Sequence, residues 1–564
     1  MVSHAHGQGY ADLHFVIPET LETIDVYKGP YFAEFGNLAP AGVLQLRLRE
    51  SFDENFIRFQ GGSFGARRVV VGFSPQLERG RGLIALEGLA TDGPFLSPQK
   101  LHRANLITRW TVPLGRNRPG VDEKLHLLAT AYDGRWNASG QIPHREVEAG
   151  RLDRFGSLDP SEGGDTRRLN FALAHQRLWS NHILKSQLYA VRYDLDLYSN
   201  FTFFERDPEN GDGILQRDRR WMRGGRTQYS YLHRLGGRSA MATAGMDWRQ
   251  DHIRNGLFYQ AQREVFGTAL DSRVLERNTG FYWQEEVVVT SWLKAIVGVR
   301  HDRFRFEAGG LGGQSRSFTG PKASLILSPS KDRSLDLFFN YGRGFHSNDA
   351  RAVVQEPGGV ALAAANGYEI GLRRKLVERL EISAAYWMLD LAGELVWVGD
   401  EGATELRGST RRHGPEVEIK WRISRNLYWD ANMSRNAAFF RAGGGRVPRA
   451  PNLLAGSGLS LQGLAESRRE PPVAPHWRSR PHRGQLRPRP GPHGHRRRPP
   501  ETAARRLVGG RLHRKPLQLE VQRSPGVLPF PPPSPTGRGV GQPLYAGQSR
   551  DLPLRRTVCA RVRR

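Results

Sequence analysis

Three kinds of side-chain grouping in this 564-residue chain have types and spacings that could do chemistry. His346 with Asp349 offers two metal-ligand types three residues apart, but a divalent site needs three or four ligands, so hydrogen bonding within a polar loop is the expected role. Asp400, Glu401 and Glu405 carry the carboxylates that hydrolysis would need. Nothing fixes their separation, and no Gly-x-Ser-x-Gly pattern accompanies them. The third kind pairs basic or acidic groups with aromatics: Asp92-Gly93-Pro94-Phe95, Tyr132-Asp133-Gly134-Arg135-Trp136 and Arg217-Asp218-Arg219-Arg220-Trp221. Arginine and tryptophan side by side can hold acidic or planar solutes by charge-assisted bonds and stacking, and can equally anchor a strand end at an interface. They are expected in loops, and no catalytic, cofactor-binding or metal-ligating residue is assigned. Cys559 is the one cysteine, so no disulfide forms within a chain.

The formal charge of +27 suggests a nucleic-acid or anionic-lipid binder until its placement is considered. Residues 465–564 hold 22 Arg and one Lys against five acids, together with 18 of the 35 prolines. Proline removes a backbone donor and fixes φ, so runs such as Phe530-Pro531-Pro532-Pro533 leave little for a sheet or core. An evolved basic arm mixes Lys with Arg. This composition instead fits a shifted reading frame of GC-rich DNA, and residues 464–564 are expected to be a disordered, out-of-frame tail.

The elements that would carry the loops have a period of two. Leu335, Leu337, Phe339 and Tyr341 share one face, and Val417, Ile419 and Trp421 alternate with Glu416, Glu418 and Lys420. Tyr189, Val191, Tyr193, Leu195 and Leu197 alternate with Ala190, Arg192, Asp194 and Asp196. The charged set is expected to face inward. A soluble sandwich would show the same alternation. Apolar runs of about nine to twelve residues match a tilted strand crossing a bilayer, and aromatics at strand ends match interfacial girdles. No run of about 18 apolar residues exists for a membrane helix, and a mean hydropathy of -0.54 is compatible with a barrel, which is apolar on one face of each strand only. Short turns alternate with long polar connections over 137–165, 205–225 and 308–317.

The segment from Pro18 through Val26-Tyr27-Lys28-Gly29-Pro30, Glu34-Phe35-Gly36 and Ala41-Gly42-Val43-Leu44 resembles the end of the plug domain of TonB-dependent receptors. Tyr341-Gly342-Arg343-Gly344-Phe345-His346, Gly399-Asp400-Glu401-Gly402 and Gly298-Val299-Arg300-His301-Asp302 resemble loops and a strand of the same family. The resemblance covers residues 18 to 463. It implies an all-β fold: a large antiparallel transmembrane barrel of about 22 strands, its lumen closed by an N-terminal plug. It also implies a monomer in the outer membrane, in contact with lipid. Such a receptor binds a scarce small-molecule solute, such as a ferric siderophore or cobalamin, and takes it up with energy from TonB. No cofactor, nucleic-acid partner or enzymatic activity is expected.

On this reading residues 1–50 are the plug remnant, 51–463 an incomplete barrel and 464–564 the tail. Sixteen to eighteen strands are expected before the composition changes, leaving open sheet edges, with no secretory signal at Met1 and no TonB-contacting segment. An open edge in lipid costs several kcal/mol per unsatisfied backbone group, so transport by this chain is not expected. The weaker readings are a basic-tailed binder of nucleic acid or anionic lipid, and a barrel enzyme.

Overall fold

A computed structural model describes residues 2–4, 7–114, 120–330, 332, 334–355, 358–377, 379–398, 403–448, 450–461, 519–523 and 556–561. Alternating side chains and few helix-favouring runs make nearly every element a strand, the longest, Glu264–Val288, having 25 residues. Neighbours in sequence pair antiparallel over long registers. Val121–Asn137 meets Gly163–Trp179 along its whole length, with Val121 opposite Trp179 and Asn137 opposite Gly163. Tight turns such as Ser180-Asn181 and Gly236-Gly237 join strands at one end, and the long connections lie at the other. Gly236 and Gly237 both have positive φ, the backbone of a two-residue hairpin turn.

The sheet has twenty staves, all but two of them between Phe56 and Leu461. Contrary to the expected open edges, it is closed. Arg556–Arg561 pairs with Phe56–Gly61 on one side and with Leu519–Arg523 on the other. Both segments lie inside the span expected to form no sheet. Neither contains proline, so every residue in them can donate to a ladder. The rest of 464–564 lies outside the described residues.

In the strand Leu293–Ala308 the even positions Arg300, Asp302, Phe304 and Phe306 are buried inward, while Val297, Val299, His301 and Arg303 are exposed outward. Phe281, Trp283, Leu325, Phe339 and Ile370 extend the outward apolar band. One strand reverses the expected faces. In His182–Ser199 it is Val191, Tyr193 and Leu195 that are buried inward with Met222, while Arg192, Asp194 and Asp196 lie on the other face. This part of the strand stands beyond the apolar band. There the outside meets water, so charge faces outward and the apolar set packs within.

Strands are also longer than the apolar runs suggested. Ile214–Leu235 takes in half of the polar stretch read as a loop, and Gly312–Leu327 begins inside another. Where both faces are polar, alternation no longer marks a strand, although the ladder continues.

Residues 11–50 form a stopper inside the ring. Leu21–Lys28 pairs with Gly42–Leu48, and the connection 29–41 projects against the inner wall. Gly29 turns the chain at φ 69° and donates to Ala41 O at 2.9 Å. Tyr27, Phe32 and Phe35 pack edge to face, with centroids 4.9–6.1 Å apart, so the connection has a small core of its own. It reaches the wall because glycines admit it: a Cβ on Gly342 would stand 2.3 Å from Pro30 O. Backbone has no rotamer with which to yield. Gly342→Val should therefore lift this connection off the wall and lower stability by about 1–3 kcal/mol, read as a lower urea midpoint together with new protease cleavage within residues 29–41.

Candidate functional site

The candidate site is the lumen: the stopper, the charged wall that holds it, and the external mouth above. At the base, Glu19 opens the turn Pro18–Thr20 and accepts from two wall arginines, Arg58 at 2.7 Å and Arg68 at 2.8 Å. Arg68 also donates to Glu87 at 2.7 Å, and Glu87 takes Arg103 at 2.8 Å. Asn105 ties the same group to His14 O. Burial works against ionising Glu19, but the hydrogen bond and charge of Arg68, with Arg58 behind it, outweigh that and hold its carboxyl below the usual range. Arg109 donates to the carbonyls of Leu48 and Arg49, and the Arg168 guanidinium lies 4.6 Å over the Phe15 ring.

Higher up, Arg300 is clamped by Asp247 and Asp302 at 2.7–2.9 Å, and Gly36 of the stopper lies against its guanidinium. Lys322 donates to Pro30 O at 2.6 Å, and Asn37 exchanges two hydrogen bonds with Ser347. Lys28 pairs with Glu416, and Arg226 donates to Glu34 O. Each contact uses an inward position of a wall strand, so the two-residue period is what aims these charges at the stopper.

Toward the mouth, Arg220 pairs with Asp218, which also accepts from Asn255 at 2.7 Å, while Arg249 and Asp251 pair at 2.6 Å. Beside this polar wall lies an aromatic one. Phe345 meets Phe304 edge on at 5.7 Å and Phe318 at 4.6 Å. The helix Ala350–Gln355 folds inward and buries Val353 and Val354 against these rings. At the rim the connection 138–162 is held by Arg263, whose guanidinium donates to Ser161 O at 2.7 Å and Asn137 Oδ1 at 2.9 Å. Glu162 is buried beside Asp159, and its Oε1 has no hydrogen-bond partner among the described residues. Desolvation, with the Asp159 charge added, pushes its carboxyl up to about 8.

The groupings singled out from sequence do not converge. His346 contacts Ser347 O, and Asp349 binds Arg351 at the start of the helix Ala350–Gln355. Among the described residues no cluster of three or more His, Cys, Asp or Glu could hold a metal. Asp400 and Glu401 lie outside the described residues, and Glu405 falls in the strand Ala403–Arg407. Asp92-Gly93-Pro94-Phe95 lies in a loop as expected. Three groups expected in loops lie in strands, Tyr132–Trp136 in Val121–Asn137, Arg217–Trp221 in Ile214–Leu235 and 341–346, with His346, in Leu335–Ser347. Strand geometry then splits the second group, with Asp218 and Arg220 buried inside and Trp221 exposed outside. The residues that tie the stopper, Glu19, Arg68, Arg300 and Lys322, were given no role from sequence, although Glu19 and Arg300 lie in segments that carry the family resemblance. Their signal is a charge at inward positions of a strand whose outward positions are apolar.

A ring of antiparallel strands whose lumen holds an N-terminal hairpin, tied down by wall arginines and lysines, defines a β-barrel with a segment of its own chain inside. The chain belongs to the family described as TonB dependent receptor-like, beta-barrel, whose sequence profile matches residues 104–478. Among solved structures it is similar to the ferric-catecholate import receptor Fiu from K12 E. coli in its closed form: 14% identity, 78% of this chain and 73% of that one, TM-score 0.62. It is also similar to the pyoverdine outer membrane receptor FpvA from Pseudomonas aeruginosa PAO1, at 13% identity over 78% and 69% with TM-score 0.64. The copper transporter OprC matches at 16% identity over 79% and 71%, with TM-score 0.62. At such identities the likeness is one of fold. No curated protein sequence matches the chain.

Two outcomes follow from these charges. Glu19→Gln keeps the shape but withdraws the charge shared by Arg58 and Arg68, and should cost about 1–3 kcal/mol of stability at pH 7. Because the folded pKa of Glu19 is depressed, its contribution is complete above the carboxyl's ordinary value of 4.5 and fades as pH falls through the lower folded value. Urea midpoints of the two proteins should therefore differ at pH 7 and approach each other in acid below that value. Glu162 has the opposite sign. Its folded pKa is raised, so the loop loses stability as pH rises from about 4.5 to about 8. Hydrogen exchange over 138–162, corrected for intrinsic rates, should show weaker protection at pH 8 than at pH 5 in the wild type and no such change in Glu162→Gln.

Proposed function

We propose that the protein is an outer-membrane receptor that captures a scarce solute at its external mouth for uptake energised by TonB, and that it is not an enzyme. The observation that carries this reading is the stopper itself. A lumen of twenty staves is wide enough to pass a solute of several hundred daltons, and a segment held through Glu19, Lys28, Pro30 and Asn37 stands in it. Passage requires those bonds to be broken, and the outer membrane has no energy source of its own, hence the partner. The names of similar structures favour a metal chelate such as a ferric siderophore as the solute, with cobalamin the other candidate.

The same reading takes this particular chain as defective in transport. Its closing staves, Leu519–Arg523 and Arg556–Arg561, have five and six residues, against roughly nine to eleven needed to cross a bilayer. The test uses cells lacking their own siderophore receptors, with and without TonB, that express either this chain or a version with the reading frame after residue 463 restored. Purified outer membranes are titrated with ferric catecholate, ferric hydroxamate and cobalamin. Saturable binding of one solute, with TonB-dependent accumulation in the restored version alone, is the expected result. Binding of none by either version would refute the assignment of solute class. Equal accumulation without TonB would refute energised uptake, and accumulation by the present chain would refute its being defective.

A further inference from the structure

Inside the external mouth, five neighbouring wall strands, Arg238–Ala261 through Leu335–Ser347, build a pocket that the chain fills with a piece of itself. Phe304, Phe306, Phe318 and Phe345 line it, with Ile253 and Val274 beside them, and all six are buried. The Phe304 and Phe306 rings lie nearly parallel, at 17° with centroids 5.5 Å apart, while Phe345 meets Phe304 edge on. Such a cluster offers both a face and an edge, the two arrangements in which a further aromatic ring is held. Its occupant is instead aliphatic: Ala350, Val353 and Val354 of the helix Ala350–Gln355. Together these side chains have about the bulk of one aromatic ring, but they bring no π-face to meet the four phenylalanines.

The occupant is built to come away. Six residues make less than two turns, well below the length at which a helix persists without packing. Val353 N donates to Asp349 O at 3.0 Å, and Arg351 donates to the Asp349 carboxylate at 2.5–2.9 Å. These bonds travel with the helix. The chain on either side is pinned at a stem, where Asn348 donates to Val360 O at 2.5 Å and to Ala361 O at 3.0 Å. The stem can hold while the helix swings out, so the wall contact given up is that of three small apolar side chains. Polar wall groups stand at the pocket's edge. Arg220 lies directly opposite Ile253 across the ladder, and Asn255, the next inward position, donates to Asp218. A ring seated against Ile253 would have Arg220 and Asn255 beside it for its oxygen substituents.

We propose that this pocket is a binding subsite for an aromatic ring of the solute, and that the helix Ala350–Gln355 is its resident occupant, displaced when the ring enters. The subsite deepens the receptor reading above and rests on it. A solute without a ring gains nothing from the phenylalanines, and one with a ring binds more weakly than the pocket allows, because the helix occupies the seat first.

The full chain and V353S/V354S, purified in detergent and checked for folding by heat-modifiable electrophoretic mobility, are titrated with two iron complexes. Ferric 2,3-dihydroxybenzoate carries aromatic rings, and ferric acetohydroxamate carries none. Hydrogen exchange over 350–355 is followed with and without each complex. Hydroxyl side chains seat poorly against the phenylalanines, so the helix of the variant leaves more readily. The variant should therefore bind the aromatic complex about fivefold or more tighter than wild type, and that complex should speed exchange over 350–355 in wild type. The hydroxamate complex should show neither effect. Equal or weaker aromatic binding by the variant, slower exchange over 350–355 on binding, or equal behaviour of the two complexes overturns the subsite while leaving the receptor reading intact. Binding of neither complex by either protein overturns a ferric chelate as the solute, and the subsite with it. Should the double variant fail to fold, Val354→Ala replaces it, and tighter aromatic binding by that protein is the deciding result.

Discussion

A sheet that closes on twenty staves encloses more space than the side chains of its own wall can fill, and the rest of this molecule follows from that geometry. An unfilled lumen is an open pore. A filled one must be filled by something polar, because every second residue of each strand points inward and many of these are charged. The chain answers with residues 11–50, whose hairpin presents carbonyls and a carboxylate to the wall's arginines and lysine. The stopper is therefore held by directional bonds that can be exchanged for water one at a time, together with an apolar contact of Ile17 and Leu48 against Val70, Leu83 and Ile107.

That choice shapes the wall as well. Arg300 has both its aspartates in the wall, and Arg68 is shared between Glu19 of the stopper and Glu87 of the wall, so each buried charge has a wall partner. Take the stopper away and the wall keeps some partners. Asp247 and Asp302 still hold Arg300, and Glu87 still holds Arg68. A wall that stays internally paired can release its plug without stranding a bare charge, as a reversible closure requires. The aromatic cluster at Phe345, capped by the inward helix Ala350–Gln355, adds an apolar patch to an otherwise ionic mouth.

Much of this was legible in the sequence, for reasons that can be located. Within the bilayer's height, lipid outside and charge inside impose a clean period of two, so 298–302 and 335–341 read correctly as strand, whereas 341–346, read as a loop, continues the second strand to Ser347. Lys28-Gly29-Pro30 was legible through its likeness to the family's plug pattern, and the structure shows a left-handed turn at Gly29 followed by a close backbone approach of Pro30 to Gly342. Legibility fails above the bilayer. There water lies outside, both faces can be polar, and Arg217–Trp221 looks like a loop although it lies in the middle of a ladder. The pairing of Glu19 with Arg58 and Arg68 spans 39 and 49 residues, and no local pattern encodes it. The closing strands escaped for a different reason: proline excludes a sheet only where it occurs, and Leu519–Arg523 and Arg556–Arg561 have none.

The unequal strand lengths have a consequence for how the mouth faces its surroundings. Three adjacent staves have 22, 24 and 25 residues, while across the ring Leu453–Leu461 has nine. At roughly 3.3 Å per residue the tall sector rises tens of ångströms further along its strands. The rim is thus cut obliquely, like the nib of a quill, and its opening looks sideways along the membrane surface. On the receptor reading proposed above, a solute drifting over the cell meets a backstop on the tall side and an entrance on the low one.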